Sequence, residues 1–230
     1  MYKVETSPIR MSDVIGGKKK DKKFANLIGP TDPKVDAAAR ERLVTARIGL
    51  LLRHSFFGNL ATRLQLTNAD EWCGTAATDG LKFYYNSKFI MLLKPKEVEF
   101  LVGHEVLHVV YDHMGRRGER DPKVMNIAAD YCVNNDLVDQ RVGDKIPVGL
   151  YDTKYKGWSA EEVYDHLMQN ASQKDINEMI KQLLDEHLDG SGDDDGEGDS
   201  DGKDGKGRPR LSAEEAKAIR DDIKDAVLQA

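Results

Sequence analysis

Residues 95–114 read PKEVEFLVGHEVLHVVYDHM, and the interpretation of the whole chain depends on this stretch. Pro95 suits the first turn of a helix, where a backbone N–H has no partner within the helix. The apolar residues that follow point to nearly every side of the helix axis, which is typical of a helix buried in a core. Within it, His104, Glu105 and His108 are polar groups that need partners there.

Two histidines four positions apart lie on one face of a helix, about 40° apart around its axis. His104 and His108 can therefore bind one ion together, and imidazole nitrogen is a good ligand for zinc. Glu105 lies beside them, where a carboxylate can accept a proton from a zinc-activated water. The pattern His-Glu-x-x-His is thus the zincin motif, with Glu105 as general base. Because so short a pattern also occurs by chance, a core helix with two hydrogen-bonded histidines is the alternative.

A second polar pattern supplies the predicted third ligand. The segment NIAADYCVNNDLV (126–138) is predicted to be helical, and Asn126, Asp130 and Asn134 form one polar stripe along it. A carboxylate returned from a second helix completes the gluzincin type of site, so we predict Asp130 as the third zinc ligand. The two asparagines are expected to orient the ligands. The alternative is that Asp130 caps a loop or pairs with a nearby arginine.

His113 is the other candidate for the third ligand. On an unbroken helix it lies about 180° from His104 and faces away from the metal. It reaches the metal only if the helix breaks after Val110, and the first glycine beyond that point is Gly115. We therefore expect His113 to support the site or the fold rather than bind the ion.

The segments before the motif predict two helices and a hairpin. Apolar spacing predicts a long helix that begins at Asp32-Pro33, a break at Phe56–Gly58 and a shorter helix to about Leu66. Apolar runs over 73–77 and 81–85 flank the turn signal Thr78-Asp79-Gly80, which predicts a β-hairpin. The strand near 81–86 is expected to hold an extended peptide by strand addition.

The segments after the motif predict short helices and a linker. Ser159 and Glu162 form a capping box for a helix over 160–170, and another helix ends near Leu188. We expect a flexible arm over 1–33, one zincin-like domain over 34–188, an acidic disordered linker over 189–210 and a helix over 211–230. That last helix has no stop signal, so we expect it to lead towards a further C-terminal domain. The fold class is therefore α+β, mainly helical, with a small antiparallel sheet beside the histidine helix.

Composition limits the classes of function. The formal net charge is −6, which argues against a nucleic-acid partner despite the basic run at 18–23. Cys73 and Cys132 are too few for a disulfide framework and fit a reducing compartment. The N-terminus lacks the apolar core of a signal peptide, and apolar runs fall short of the roughly 18 residues that span a membrane. We expect a soluble cytoplasmic protein with no membrane partner.

Three stretches together resemble a known family. HEVLHVVYDHMGRRGERDP, NIAADYCVNNDLV and GLYDTKYKGWSAEEVYDHL, with the upstream TDG and YYNSKF segments, are similar to the metallopeptidase domain found N-terminal to von Willebrand factor A-like domains in bacterial and phage proteins. The resemblance covers about 35–170. It implies a zincin-like α+β domain, a linker and an A-type domain, often with an AAA+ ATPase partner. In that family the peptidase activity is inferred from the motif.

The main functional hypothesis is a zinc metalloendopeptidase acting on a peptide or protein substrate. Zinc held by His104, His108 and Asp130 would activate water, and Glu105 would move its proton to the leaving amine. The alternative is a catalytically silent, zinc-stabilised scaffold that acts with a von Willebrand A-like domain and an AAA+ ATPase. Replacing Glu105 distinguishes them, because only the enzyme needs its carboxylate.

Overall fold

The helix that carries the two histidines, α4 (Pro95–Val110), lies in the centre of the molecule. The structure is a computed structural model that describes residues 27–184 and 212–230. Every α4 residue from Glu97 to Val109 is buried, as the apolar residues on all sides of the helix predict. Two helices that precede α4, one helix that follows it and a small sheet pack around α4, so the histidines are held from several directions.

Helices α1 (Pro33–Arg53) and α2 (Ser55–Arg63) pack against each other before the sheet. The side chain of Asp32 accepts hydrogen bonds from the first turn of α1, which confirms the predicted start of this helix. The break lies at His54, however, and not at Phe56–Gly58. Gly58 lies inside α2, where its missing side chain allows the α2 backbone to approach the backbone of Leu51 in α1.

The sheet contains three strands, β1 (Gln65–Asn68), β2 (Ala76–Thr78) and β3 (Lys82–Tyr85). Strands β2 and β3 form the predicted hairpin, and Asp79 accepts hydrogen bonds from the backbone of Leu81 and Lys82 at the turn. Strand β1 pairs parallel to β3, so the sheet is mixed rather than purely antiparallel. The segment 65–66, predicted to be helical, belongs to this strand.

The order of the strands also corrects the predicted mode of substrate binding. The order is β1-β3-β2, so β3 is the central strand and is paired on both sides. Strand addition needs a free edge. The prediction that the strand near 81–86 binds an extended peptide in this way is therefore wrong.

Helices α6 (Pro122–Asp139), α7 (Ala160–Asn170) and α8 (Gln173–Ile180) form a second group beyond α4. Asp121 caps α6, and Ser159 and Glu162 form the predicted capping box at α7. Helix α8 ends at Ile180 rather than near Leu188, because the chain turns so that Leu184 packs against Gly149. The other bounds are α3 (Ser87–Leu92), α5 (His113–Arg116) and α9 (Ala213–Gln229), with a 3₁₀ turn at Thr153–Tyr155.

These elements confirm the predicted α+β class, mainly helical with a small sheet. Helix α9 begins at a capping box of Ser212 and Glu215, and its Ile219 packs against Gly80 of the hairpin. Residues 1–26 of the predicted arm and the predicted linker over 189–210 lie outside the described residues. Within the described ranges, no helix combines the length and hydrophobicity needed to cross a bilayer.

A close contact fixes the segment after α6 against α4, and it gives a stability prediction. Gly143 adopts φ +64°, and a Cβ there would overlap the carbonyl oxygen of Lys96 and the backbone of Phe100. Gly157 adopts φ +75° with open space around it. Alanine at either position strains the backbone by about 1–2 kcal/mol. At Gly143 overpacking adds about 1–3 kcal/mol.

We therefore expect Gly143→Ala to lower the free energy of unfolding more than Gly157→Ala does. Urea denaturation of both variants measures the difference, and Gly157→Ala controls for backbone strain. Equal losses in the two variants would show that the contact with α4 is not tight.

Candidate metal centre

The centre forms where α4 and α6 pack side by side. His104 on α4 contacts Asn134 on α6, while His108, one turn later on α4, lies beside Asp130, one turn earlier on α6. The helices therefore run antiparallel at this point. Residues four positions apart lie on the same face of a helix. His104 and His108 on α4 therefore face Asp130 and Asn134 on α6, and four polar side chains come together.

Three ligand-type atoms form a small triangle there. The Nε2 atoms of His104 and His108 lie 3.0 Å apart. Oδ1 of Asp130 lies 3.6 Å from Nε2 of His104 and 3.4 Å from Nε2 of His108. Each of the three residues is at most 1% exposed. The structure thus brings together the three residues that the sequence predicts as ligands, and their role as ligands stays a prediction.

The size of the triangle fits a tetrahedral zinc ion. With zinc–ligand bonds of about 2.0–2.1 Å, the ligand atoms of a tetrahedron lie about 3.3 Å apart. The three distances cluster around this value. Hydrogen bonds from nitrogen to oxygen are shorter, at about 2.7–3.2 Å. Both histidine–aspartate distances are therefore too long for good hydrogen bonds but suitable for two ligands of one ion.

The far side of His104 is held by a chain of hydrogen bonds. Its Nδ1 lies 3.0 Å from Oδ1 of Asn134, and Nδ2 of Asn134 donates to the carbonyl oxygen of Leu150 at 2.8 Å. Asn134 is fully buried. It contacts the predicted ligand His104, as the polar stripe predicts. The contribution of the Leu150 carbonyl has no signal in the sequence.

His113 contacts His108, although on an unbroken helix it would face away from the metal. Its Nδ1 lies 3.1 Å from Nδ1 of His108, the nitrogen opposite the triangle. This is possible because α4 ends at Val110 and Asp112 adopts a left-handed conformation, φ 51°. Aspartate tolerates this conformation better than most residues, so Asp112 was the signal for the break. His113 therefore lies behind a predicted ligand, in the supporting place that the sequence interpretation gave it.

Glu105 and Leu184 complete the surroundings of the triangle. Glu105, the predicted general base, is fully buried on α4, one residue beyond His104. The backbone N–H of Leu184 donates to Oδ2 of Asp130 over 3.4 Å, a long hydrogen bond. Leu184 lies 54 residues away in the sequence, and no motif pointed to it.

Arg116, Tyr131 and Tyr155 carry donor groups of the kind that stabilise an oxyanion. Arg116 forms a two-pronged ion pair with Glu161, and the hydroxyl of Tyr155 contacts His166. Both groups are therefore engaged away from the triangle. Tyr131 follows Asp130 on α6, and burial is the main cause that raises the pKa of its hydroxyl.

Comparison with known families agrees with this geometry. The family described as "Putative metallopeptidase domain" matches residues 38–229, which is most of the chain. The chain belongs to this metallopeptidase-domain family. This confirms the resemblance that the sequence motifs carry. No curated protein and no solved structure matches the chain.

The match to the metallopeptidase-domain family extends beyond the region of the motifs. It begins within α1 and ends at the last residue of α9, so it includes the acidic segment and the helix that follows. The buried triangle of two histidines and one aspartate lies inside it. The family and the triangle together indicate a metal-binding metallopeptidase domain.

Proposed function

We propose that this chain is a zinc-dependent peptidase that hydrolyses peptide bonds with Glu105 as general base. The observation that carries the proposal is the triangle of His104, His108 and Asp130, whose edges match those of a tetrahedral zinc site. Two neutral imidazoles and one carboxylate form a donor set that zinc accepts. The family's description supports the same reaction class.

Each residue has a distinct role in the proposed reaction. His104 and His108 offer their Nε2 lone pairs, and Asp130 offers Oδ1 and one negative charge. Zinc, when bound there, supplies a Lewis acid that polarises a carbonyl and lowers the pKa of a water towards about 7. Glu105 accepts the proton of the attacking water and then donates it to the leaving amine.

Burial of the site implies that substrate access is controlled. His104, Glu105, His108 and Asp130 are each at most 1% exposed. A peptide bond therefore reaches Glu105 only when a neighbouring segment moves aside. While that segment covers the site, it also excludes water, which strengthens the electrostatic interactions inside the site.

Removal of zinc is expected to lower the stability of the fold. Zinc binds the folded chain but finds no preformed triangle in the unfolded chain, so it stabilises the fold by mass action. At a free zinc concentration 100 times the dissociation constant, the gain is about 2.7 kcal/mol. For a chain of this size the gain raises the Tm by about 5–10 °C. Calorimetry of chelator-treated protein, with and without added zinc, measures this shift.

Magnesium at the same concentration is the control, because it prefers oxygen ligands and octahedral geometry. It should leave the Tm unchanged. Elemental analysis should find about one zinc for each chain, as one such triangle within residues 27–184 and 212–230 requires. A chain that neither contains zinc nor gains stability from it would contradict the proposed function.

A further inference from the structure

The hydrogen bonds behind His104 determine more than its position. Asn134 has one acceptor, Oδ1, and one donor group, Nδ2, at the end of the same side chain. Nδ2 lies 2.8 Å from the carbonyl oxygen of Leu150, and Oδ1 lies 3.0 Å from Nδ1 of His104. Both His104 and Asn134 are fully buried, and Leu150 is 2% exposed, so water hardly competes with these contacts.

The chemistry of Leu150 fixes the orientation of the asparagine amide. A backbone carbonyl only accepts hydrogen bonds, so the group that faces it has to be Nδ2. Oδ1 then faces His104, and as an oxygen without a hydrogen it only accepts. Nδ1 of His104 has to carry the proton in this arrangement. A neutral imidazole has one N–H, so Nε2 of His104 keeps its lone pair and directs it into the triangle.

We propose that Asn134 is a positioning residue that selects the tautomer of His104 required for metal binding, with the Leu150 carbonyl as its reference point. This inference rests on the proposed zinc site, and it adds how the chain prepares His104 to bind the ion. In the other tautomer, Nε2 of His104 would carry the proton. This N–H would point towards Nε2 of His108 and Oδ1 of Asp130, into the space where the ion is to bind. The site would then have to move a proton before it could bind zinc.

The neighbouring residue Asn135 provides a matched control. It is the same residue type on the same helix and is 3% exposed. Its Nδ2 donates to the carbonyl oxygens of Tyr131 and Asp152, away from the triangle. Replacing Asn135 therefore removes an equally buried amide and its hydrogen bonds without touching a ligand.

The test compares zinc affinity, by competition with a chromophoric chelator, for wild type, Asn134→Leu, Asn134→Asp and Asn135→Leu. Loss of a partner behind a metal-binding histidine weakens binding about 10–100-fold, and we expect this for Asn134→Leu.

Asn134→Asp keeps an oxygen that accepts from His104 and should bind zinc like wild type, although the lost bond to Leu150 lowers its Tm. Asn135→Leu should lose stability but not zinc affinity. A purely structural role of Asn134 would instead give equal affinities in Asn134→Leu and Asn135→Leu.

A measurement on the unaltered protein keeps the inference testable even if Asn134→Leu does not fold. Long-range ¹H–¹⁵N spectra of the six histidines at fixed pH report which nitrogen of each ring carries the proton. We expect the proton of His104 on Nδ1 in metal-free wild type, and the same in Asn134→Asp. A proton on Nε2 would overturn the inference. Wild type that binds no zinc would contradict the proposed function instead, whichever tautomer His104 shows.

Discussion

Asp130→Asn is expected to abolish stoichiometric zinc binding. The substitution preserves the shape of the side chain but removes its negative charge, and a neutral amide oxygen is a poor ligand for zinc. Loss of a partner behind a ligand weakens metal binding about 10–100-fold, so loss of the ligand itself should exceed the upper end of that range. Zinc content and competition with a chelator measure the effect.

The stability of the same variant separates a ligand from an ordinary structural aspartate. In the metal-free chain Asp130 is a fully buried carboxylate, which costs free energy through lost hydration. The neutral amide reduces this cost, so metal-free Asp130→Asn should unfold at or above the Tm of metal-free wild type, and zinc should no longer raise it. Asp136→Asn is the control on the same helix, since the carboxylate of Asp136 accepts a hydrogen bond from the hydroxyl of Tyr111. A lower metal-free Tm with unchanged zinc binding would assign Asp130 a structural role.

Glu105→Gln is expected to abolish catalysis and leave zinc binding intact. Glutamine fills the same space but cannot accept a proton, and general acid–base catalysis contributes about 10²–10⁴-fold to rates. The zinc ligands remain, so zinc content and Tm should match wild type apart from the small effect of one buried substitution. The assay follows cleavage of a reduced, carboxymethylated protein by the zinc-loaded chain, with the fragments identified by mass spectrometry.

Glu99→Gln is the matched control for this loss of activity. Glu99 lies on α4 and is 6% exposed, and its carboxylate pairs with Arg53 and Lys96 at the other end of the helix. Its replacement should cost stability but not the rate of cleavage by folded protein. Cleavage that continues in Glu105→Gln would remove Glu105 from the mechanism. A zinc-loaded wild type that cleaves nothing would favour the zinc-stabilised scaffold over the peptidase.

The site could be anticipated from the sequence wherever helical periodicity governs the geometry. The motif residues His104 and His108, and the stripe that contains Asp130, each follow the four-residue repeat of one helix. To predict that these two polar faces meet, it was enough to predict that both helices are buried. The capping boxes and the hairpin turn were equally accessible, because each depends on residues close together in the sequence.

The errors arose where distant residues decide the local structure. Strand β1 has four residues, too few for a periodic signal, and it is a strand because it pairs with β3. Helix α8 ends early because Leu184 gains contacts elsewhere. Local propensity does not contain this information, since tertiary contacts override it.

The hydrogen bond between Leu184 and Asp130 has a consequence for how the centre communicates with the rest of the chain. One oxygen of Asp130 faces the histidines, while the other accepts the N–H of the last described residue before the acidic segment. Binding free energies are reciprocal: if zinc binding strengthens the hold on Leu184, then pulling Leu184 away weakens zinc binding by the same factor. A pull on Leu184 would therefore reach the candidate metal centre through a single carboxylate.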